Sequence, residues 1–135
     1  MNKKIIFFVI TLVLFSFGGC VYSQGAAYLI TPSEASTLIK NDSTIVLLDV
    51  RTTAEFKSET GHLKNAVLIP VQELENRINE LTKFKKNRMI VYCRTGHRST
   101  TATELLIKYG YNVKNMTGGI TQWNIEKLPV VTEKN

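Results

Sequence analysis

Cys93 opens the run Cys93-Arg94-Thr95-Gly96-His97-Arg98-Ser99, directly after the apolar stretch Met89-Ile90-Val91-Tyr92. The apolar stretch reads as a buried strand, and the residues after Ser99 read as a helix. A thiol on a short polar turn between the two meets unpaired backbone N–H groups and the partial positive charge of a helix N-terminus. Arg94, His97 and Arg98 add positive character. Such surroundings favour the thiolate, the reactive form of cysteine. The chemistry on offer is therefore nucleophilic attack by sulfur.

The elements that must position this thiol alternate between strand and helix. Tyr28-Leu29-Ile30 reads as a short strand. Thr31-Pro32-Ser33-Glu34 then combines a helix cap, a proline at the first helical position and a glutamate at N3, which predicts a helix towards Lys40. Thr44 to Val50 is a near-continuous apolar run, as expected of a strand buried on both faces. Thr52-Thr53-Ala54-Glu55 offers a second capping box for a short helix. Ala66 to Ile69 predicts a third strand, stopped by Pro70. Leu74, Ile78 and Leu81 recur at helical spacing, so Val71 to Thr82 is expected to be an amphipathic helix, followed by a basic turn from Lys83 to Arg88. Met89 to Tyr92 is the fourth strand and Ser99 to Tyr109 the next helix, closed by Gly110. Asn112 to Met116 is the fifth strand, and Gly118-Gly119 opens a last short helix containing Ile120 and Trp123, with Trp123 in the core. This alternation implies an α/β domain: a five-stranded, mainly parallel sheet with helices on both faces. Ligands of such sheets bind at the carboxyl ends of strands, where Cys93 lies.

The chain has 135 residues, enough for one domain, with 44% apolar and 21% charged residues, values ordinary for a globular protein. Its formal charge of +6 includes Lys3 and Lys4. The remaining excess is mild and shows no basic tract of the kind that marks nucleic-acid binding. Anionic small molecules suit it better. Asn2-Lys3-Lys4 precedes an apolar run from Ile5 to Phe17, too short for a comfortable membrane span of about 20 residues, and small residues follow at Gly18 and Gly19. This is the layout of a bacterial secretory signal. Cleavage after Ser23 gives a signal over 1–23. Alternatively, Gly18-Gly19 before Cys20 resembles a lipoprotein box, giving a signal over 1–19 and a lipid on Cys20. The expected location is the periplasm, with membrane anchoring only if Cys20 is lipidated. Residues 24–27 are read as a linker, 28–131 as the domain and 132–135 as a tail. With Cys20 removed or lipidated, Cys93 has no disulfide partner within the chain.

Several segments together resemble a known family. Asp49-Val50-Arg51 with Glu55-Phe56, Gly61-His62-Leu63-Lys64-Asn65-Ala66, Ile69-Pro70, the Cys93 to Ser99 loop, and Gly118-Gly119-Ile120 with Trp123 look like a single-domain rhodanese over Tyr28 to Val131. The resemblance implies a single rhodanese-like domain that transfers sulfane sulfur through a persulfide on Cys93, as covalent catalysis in two displacements. The expected partners are a small anionic donor such as thiosulfate and a cyanide or thiol acceptor, with a protein sulfur donor or acceptor as a further option. The alternative within the family is a sulfur-carrier or docking module with little activity on free thiosulfate. The substrate-binding residues implied are Arg94, Thr95, Gly96, His97, Arg98 and Ser99. Their N–H groups would form an anion-binding nest around the sulfur, and Gly96 would permit the tight turn. Ser99 is expected chiefly to cap the helix, with a bond to the persulfide as its second role, and His97 to face solvent. Cysteine-dependent phosphatases place five residues between their cysteine and arginine. Here four separate Cys93 from Arg98, a loop that resembles the sulfur-transferring members. Asp49 and Arg51 are expected to pair and brace the loop beneath the site. His62 is expected to hydrogen-bond within the Gly61 loop. It has no second histidine or cysteine at ligand spacing, so no metal is expected, and no cofactor either.

Overall fold

The computed structural model describes residues 27–133. The signal segment and Cys20 lie outside them, as does most of the linker. Five strands form one sheet in the order β1-β5-β4-β2-β3. They are β1 (Leu29–Ile30), β2 (Val46–Asp49), β3 (Val67–Leu68), β4 (Arg88–Tyr92) and β5 (Asn112–Met116). Every neighbouring pair runs parallel. The helices are α1 (Pro32–Asn41), α2 (Thr53–Phe56), α3 (His97–Lys108) and α4 (Gly119–Ile125), with a 3-10 helix over Ile78–Phe84.

The strand pattern divides the core in two. Val46, Leu48, Met89, Val91 and Cys93 face one side of the sheet, where Ala102 and Leu106 of α3 and Ile78 and Leu81 of the 3-10 helix cover them. Leu47, Ile90 and Tyr92 face the other side, under Ala35 of α1 and Ile120 and Trp123 of α4. Alternate side chains point to opposite faces of a strand, and here both faces are buried. That is why the runs read as continuous apolar segments rather than as alternating ones.

Both capping boxes form. Thr31 and Glu34 close the start of α1, and Thr52 and Glu55 close that of α2. The segment from Val71 to Thr82 departs from expectation. Residues 71–77 are a series of turns, and regular structure begins only at Ile78, as a 3-10 helix that runs on to Phe84. This connection must pass from edge strand β3 across β2 to β4. Tight turns rise about 2.0 Å per residue against 1.5 Å for an α-helix, so the chain spans that distance while Leu74, Ile78 and Leu81 still reach the core. The expected basic turn is correspondingly short, since Arg88 already belongs to β4 and pairs with Asp42 at 2.8 Å.

Candidate active site

Cys93 follows the last residue of β4, at the carboxyl end of the central strand, and is 1% exposed. The chain turns sharply after it. Gly96 takes φ +104°, a left-handed conformation that glycine adopts without a Cβ clash, and is itself the N-cap of α3. Ser99 is therefore not the cap. It sits inside the first turn of α3, fully buried, with its hydroxyl 3.1 Å from the Gly96 carbonyl and 3.5 Å from the Cys93 sulfur.

The sulfur accepts a hydrogen bond from the Gly96 N–H at 3.1 Å. Burial pushes the thiol pKa up. The Ser99 hydroxyl and the N–H groups of Ser99, Gly96 and Thr95 act the other way and hold it below its ordinary value. The donors of the loop thus converge on the sulfur while its carbonyls are turned outward. The Cys93 and Arg94 carbonyls accept from the N–H groups of Ile120 and Thr121 at 2.9 and 3.0 Å. Gly119 makes this possible, because a Cβ there would overlap both carbonyls. On the sheet side, Asn115 of β5 lies beneath the loop and donates to Thr100 Oγ1 at 2.9 Å and the Gly96 carbonyl at 3.4 Å.

The two arginines of the loop are differently engaged. Arg98, on the first turn of α3, makes a two-pronged ion pair with Glu55 of α2, at 2.8 and 2.6 Å. Glu55 also accepts from the Thr52 N–H and hydroxyl, both at 3.0 Å. The Arg98 guanidinium beside Glu55 holds that carboxyl at a pKa of about 2, with the Thr52 bonds adding to the effect against partial burial. Glu55 and, more weakly, the Cys93 sulfur in turn stabilise the cationic form of Arg98. Arg94 is exposed and has no carboxylate partner among the described residues. Thr95 and His97 are also exposed.

Beneath the site, Arg51 and Asp49 form a buried pair, 1% and 0% exposed, closed at 2.6 Å. Two further Arg51 protons go to the Gly61 carbonyl at 2.8 Å and Thr60 Oγ1 at 3.1 Å. This pair braces the loop after α2, as its position at a strand end suggests. His62 stacks on Phe56 at 3.7 Å and lies 3.2 Å from its carbonyl through Nδ1. Among the described residues, no cluster of histidine, cysteine and acidic groups could hold a metal. Trp123 is buried, its indole N–H bonded to the Pro129 carbonyl at 3.1 Å.

The spacing of motifs reads Glu55 only as a helix cap, and Asn115 carries no signal at all. Glu55 stands 43 residues before Arg98, so their pairing is a product of the fold. The place of Glu55 in the Glu55-Phe56 motif was the one available hint.

A parallel sheet with a cysteine loop at its carboxyl end defines the class, and comparison with known proteins places the chain in it. The family profile described as rhodanese-like domain matches residues 31–126, and the chain belongs to that family of sulfurtransferases and sulfur carriers. A mitochondrial protein of Schizosaccharomyces pombe named for thiosulfate sulfurtransferase activity is 38% identical over 95 residues, which cover 62% of this chain and 66% of that one. A sulfurtransferase of Allochromatium vinosum is 35% identical over 88 residues, covering 64% of this chain and 78% of that one. Among solved structures, a rhodanese-related protein from Thermoplasma volcanium superposes with a TM-score of 0.69 at 32% identity, covering 78% of this chain and 98% of that one.

Proposed function

We infer that this protein is a sulfurtransferase whose nucleophile is Cys93, acting on a small anionic donor such as thiosulfate. The observation that carries this reading is the sulfur ringed by hydrogen-bond donors, with the surrounding carbonyls turned away. In the first displacement the Cys93 thiolate attacks the outer sulfur of thiosulfate. A Cys93–sulfur bond forms, the sulfur–sulfur bond of the donor breaks, and sulfite leaves with the electron pair. In the second, a nucleophilic acceptor takes the outer sulfur and the pair returns to Cys93. Gly96 and Ser99 hold the sulfur's negative charge before the first step and after the second. The pattern over residues 1–23 supports an exported protein performing this reaction.

Intact mass measurement after incubation with thiosulfate and no acceptor tests the assignment. The protein is expected to gain one sulfur atom and to release sulfite, and Cys93→Ser to do neither. The same adduct on the variant would overturn the role of Cys93. The mass of protein recovered from its native envelope reads export as well: a chain starting at Gln24, or at a lipidated Cys20, supports it, and an uncleaved chain counts against it.

A further inference from the structure

The Gly96 carbonyl is claimed by more donors than it can satisfy. The Thr100 N–H reaches it at 3.1 Å, the Thr100 hydroxyl at 2.9 Å, the Ser99 hydroxyl at 3.1 Å and the Asn115 amide at 3.4 Å. A carbonyl oxygen has two lone pairs, so these donors compete. The Ser99 hydroxyl has one proton and a second acceptor for it, the Cys93 sulfur at 3.5 Å. Thr100 has no such choice. Its hydroxyl accepts from Asn115 Nδ2 at 2.9 Å, which leaves its own proton for Gly96. Asn115 lies on β5, on the sheet face of Val113 and Cys93, and is 4% exposed. Its amide turns N–H rather than oxygen to the loop, since the Gly96 carbonyl can only accept, and its Oδ1 is buried without a partner. A buried acceptor left unpaired carries a cost, so what this side chain supplies is its loop-facing donors.

Resting on the reading of Cys93 as the nucleophile, we propose that Asn115 and Thr100 are positioning residues: they occupy the Gly96 carbonyl and so release the Ser99 proton to the Cys93 sulfur. Their effect passes through a single hydroxyl. With the carbonyl filled, the Ser99 proton is held by the sulfur, and more firmly by the thiolate than by the thiol. With the carbonyl unfilled, that proton turns to Gly96 and the sulfur loses a donor. The N–H groups of Thr95, Gly96 and Ser99 that also serve the sulfur belong to other peptide units than the Gly96 carbonyl, so the relay leaves them unchanged. The charged group facing the sulfur is the Arg98 guanidinium, with Glu55 behind it, and both lie outside the relay.

Alkylation of Cys93 by iodoacetamide against pH tests this and needs no sulfur donor. Thr100→Val keeps the side-chain shape at an exposed position and removes the hydroxyl. Its thiol midpoint is expected about half a pH unit above the wild-type one, part of the shift that losing the Ser99 bond itself brings. Alkylation below the midpoint then slows about threefold. Asn115→Leu should shift the midpoint the same way, and Thr100→Ser should return it to the wild-type value. The same two changes, Thr100→Val and Asn115→Leu, are then made in the Ser99→Ala protein, where their shift should vanish. An unmoved midpoint in Thr100→Val, or an undiminished shift in the Ser99→Ala background, overturns the relay. The midpoints read it even where Cys93 takes no sulfur from thiosulfate. A protein that forms the persulfide with unmoved midpoints loses the relay and keeps the sulfur-transfer reading.

Discussion

Around Cys93 two opposed effects act on one sulfur atom. Burial disfavours the thiolate, and the donors from Ser99, Gly96 and Thr95 favour it and win. Ser99 is the side chain in that set, so its removal isolates a single donor. Ser99→Ala removes the hydroxyl that the sulfur shares with the Gly96 carbonyl, and the loss of its bond to the thiolate raises the thiol pKa. A bond to a charged group is worth about 1.5 kcal/mol or more, so the midpoint should rise by about one pH unit. The rate of alkylation by iodoacetamide against pH reads this directly. The wild-type midpoint is expected below the ordinary thiol value of about 8.5, and that of Ser99→Ala above the wild-type one. Equal midpoints would assign the whole effect to the backbone. Ser99 also shows the limit of reading caps from residue type. A serine near a helix start is read as its cap, yet Gly96, free to adopt φ +104°, starts α3 earlier and leaves Ser99 facing the sulfur.

The elements were legible in sequence where a local rule decides them. The capping boxes at Thr31 and Thr52 and the doubly buried strands follow from neighbours a few residues apart, as does the placement of Cys93 at a strand's carboxyl end. The turns over residues 71–77 were not, because the 3, 4 spacing of Leu74, Ile78 and Leu81 is met equally by turns and a 3-10 helix, and only the crossover distance chooses between them. The tie between α2 and α3 was hidden too, since nothing local joins Glu55 to Arg98. That tie has a measurable signature. The folded Glu55 carboxyl has a pKa of about 2, below the value of about 4.3 for an unperturbed glutamate. Its contribution to stability is therefore full above about pH 4.3 and is lost as pH falls through about 2. Glu55→Gln removes it. The urea midpoint of the variant should lie below that of the wild-type protein at pH 6, with the gap closing as pH falls through that window. A gap independent of pH would show that the ion pair adds nothing beyond shape.

For the molecule as a whole, the Asp49–Arg51 pair is where sheet, loop and the segment at Val131 meet. Asp49 ends β2 opposite Tyr92 of β4. The Tyr92 hydroxyl accepts the Leu63 N–H at 3.1 Å, and burial together with the nearby Asp49 charge pushes its ionisation up. Arg51 holds the Gly61 carbonyl, and the adjoining His62 exchanges backbone hydrogen bonds with Val131 at 2.9 and 2.8 Å. One buried guanidinium thus connects the central strands to the C-terminal segment. Arg51→Ala leaves Asp49 buried and uncompensated, a change that costs about 3–5 kcal/mol, a large share of the 5–15 kcal/mol typical of a domain. Urea unfolding of the variant should shift its midpoint down by about 2 M and stay a single transition, because the Val131 segment, loop and sheet lose their common anchor together. The double change Asp49→Leu with Arg51→Met removes both charges and replaces them with apolar volume, which buried pairs often tolerate. It should regain much of the loss. If the two changes instead cost the sum of the single ones, the pair would be two independent groups rather than one joint, and the connection from β2 to the Val131 segment would have to run through backbone hydrogen bonds alone.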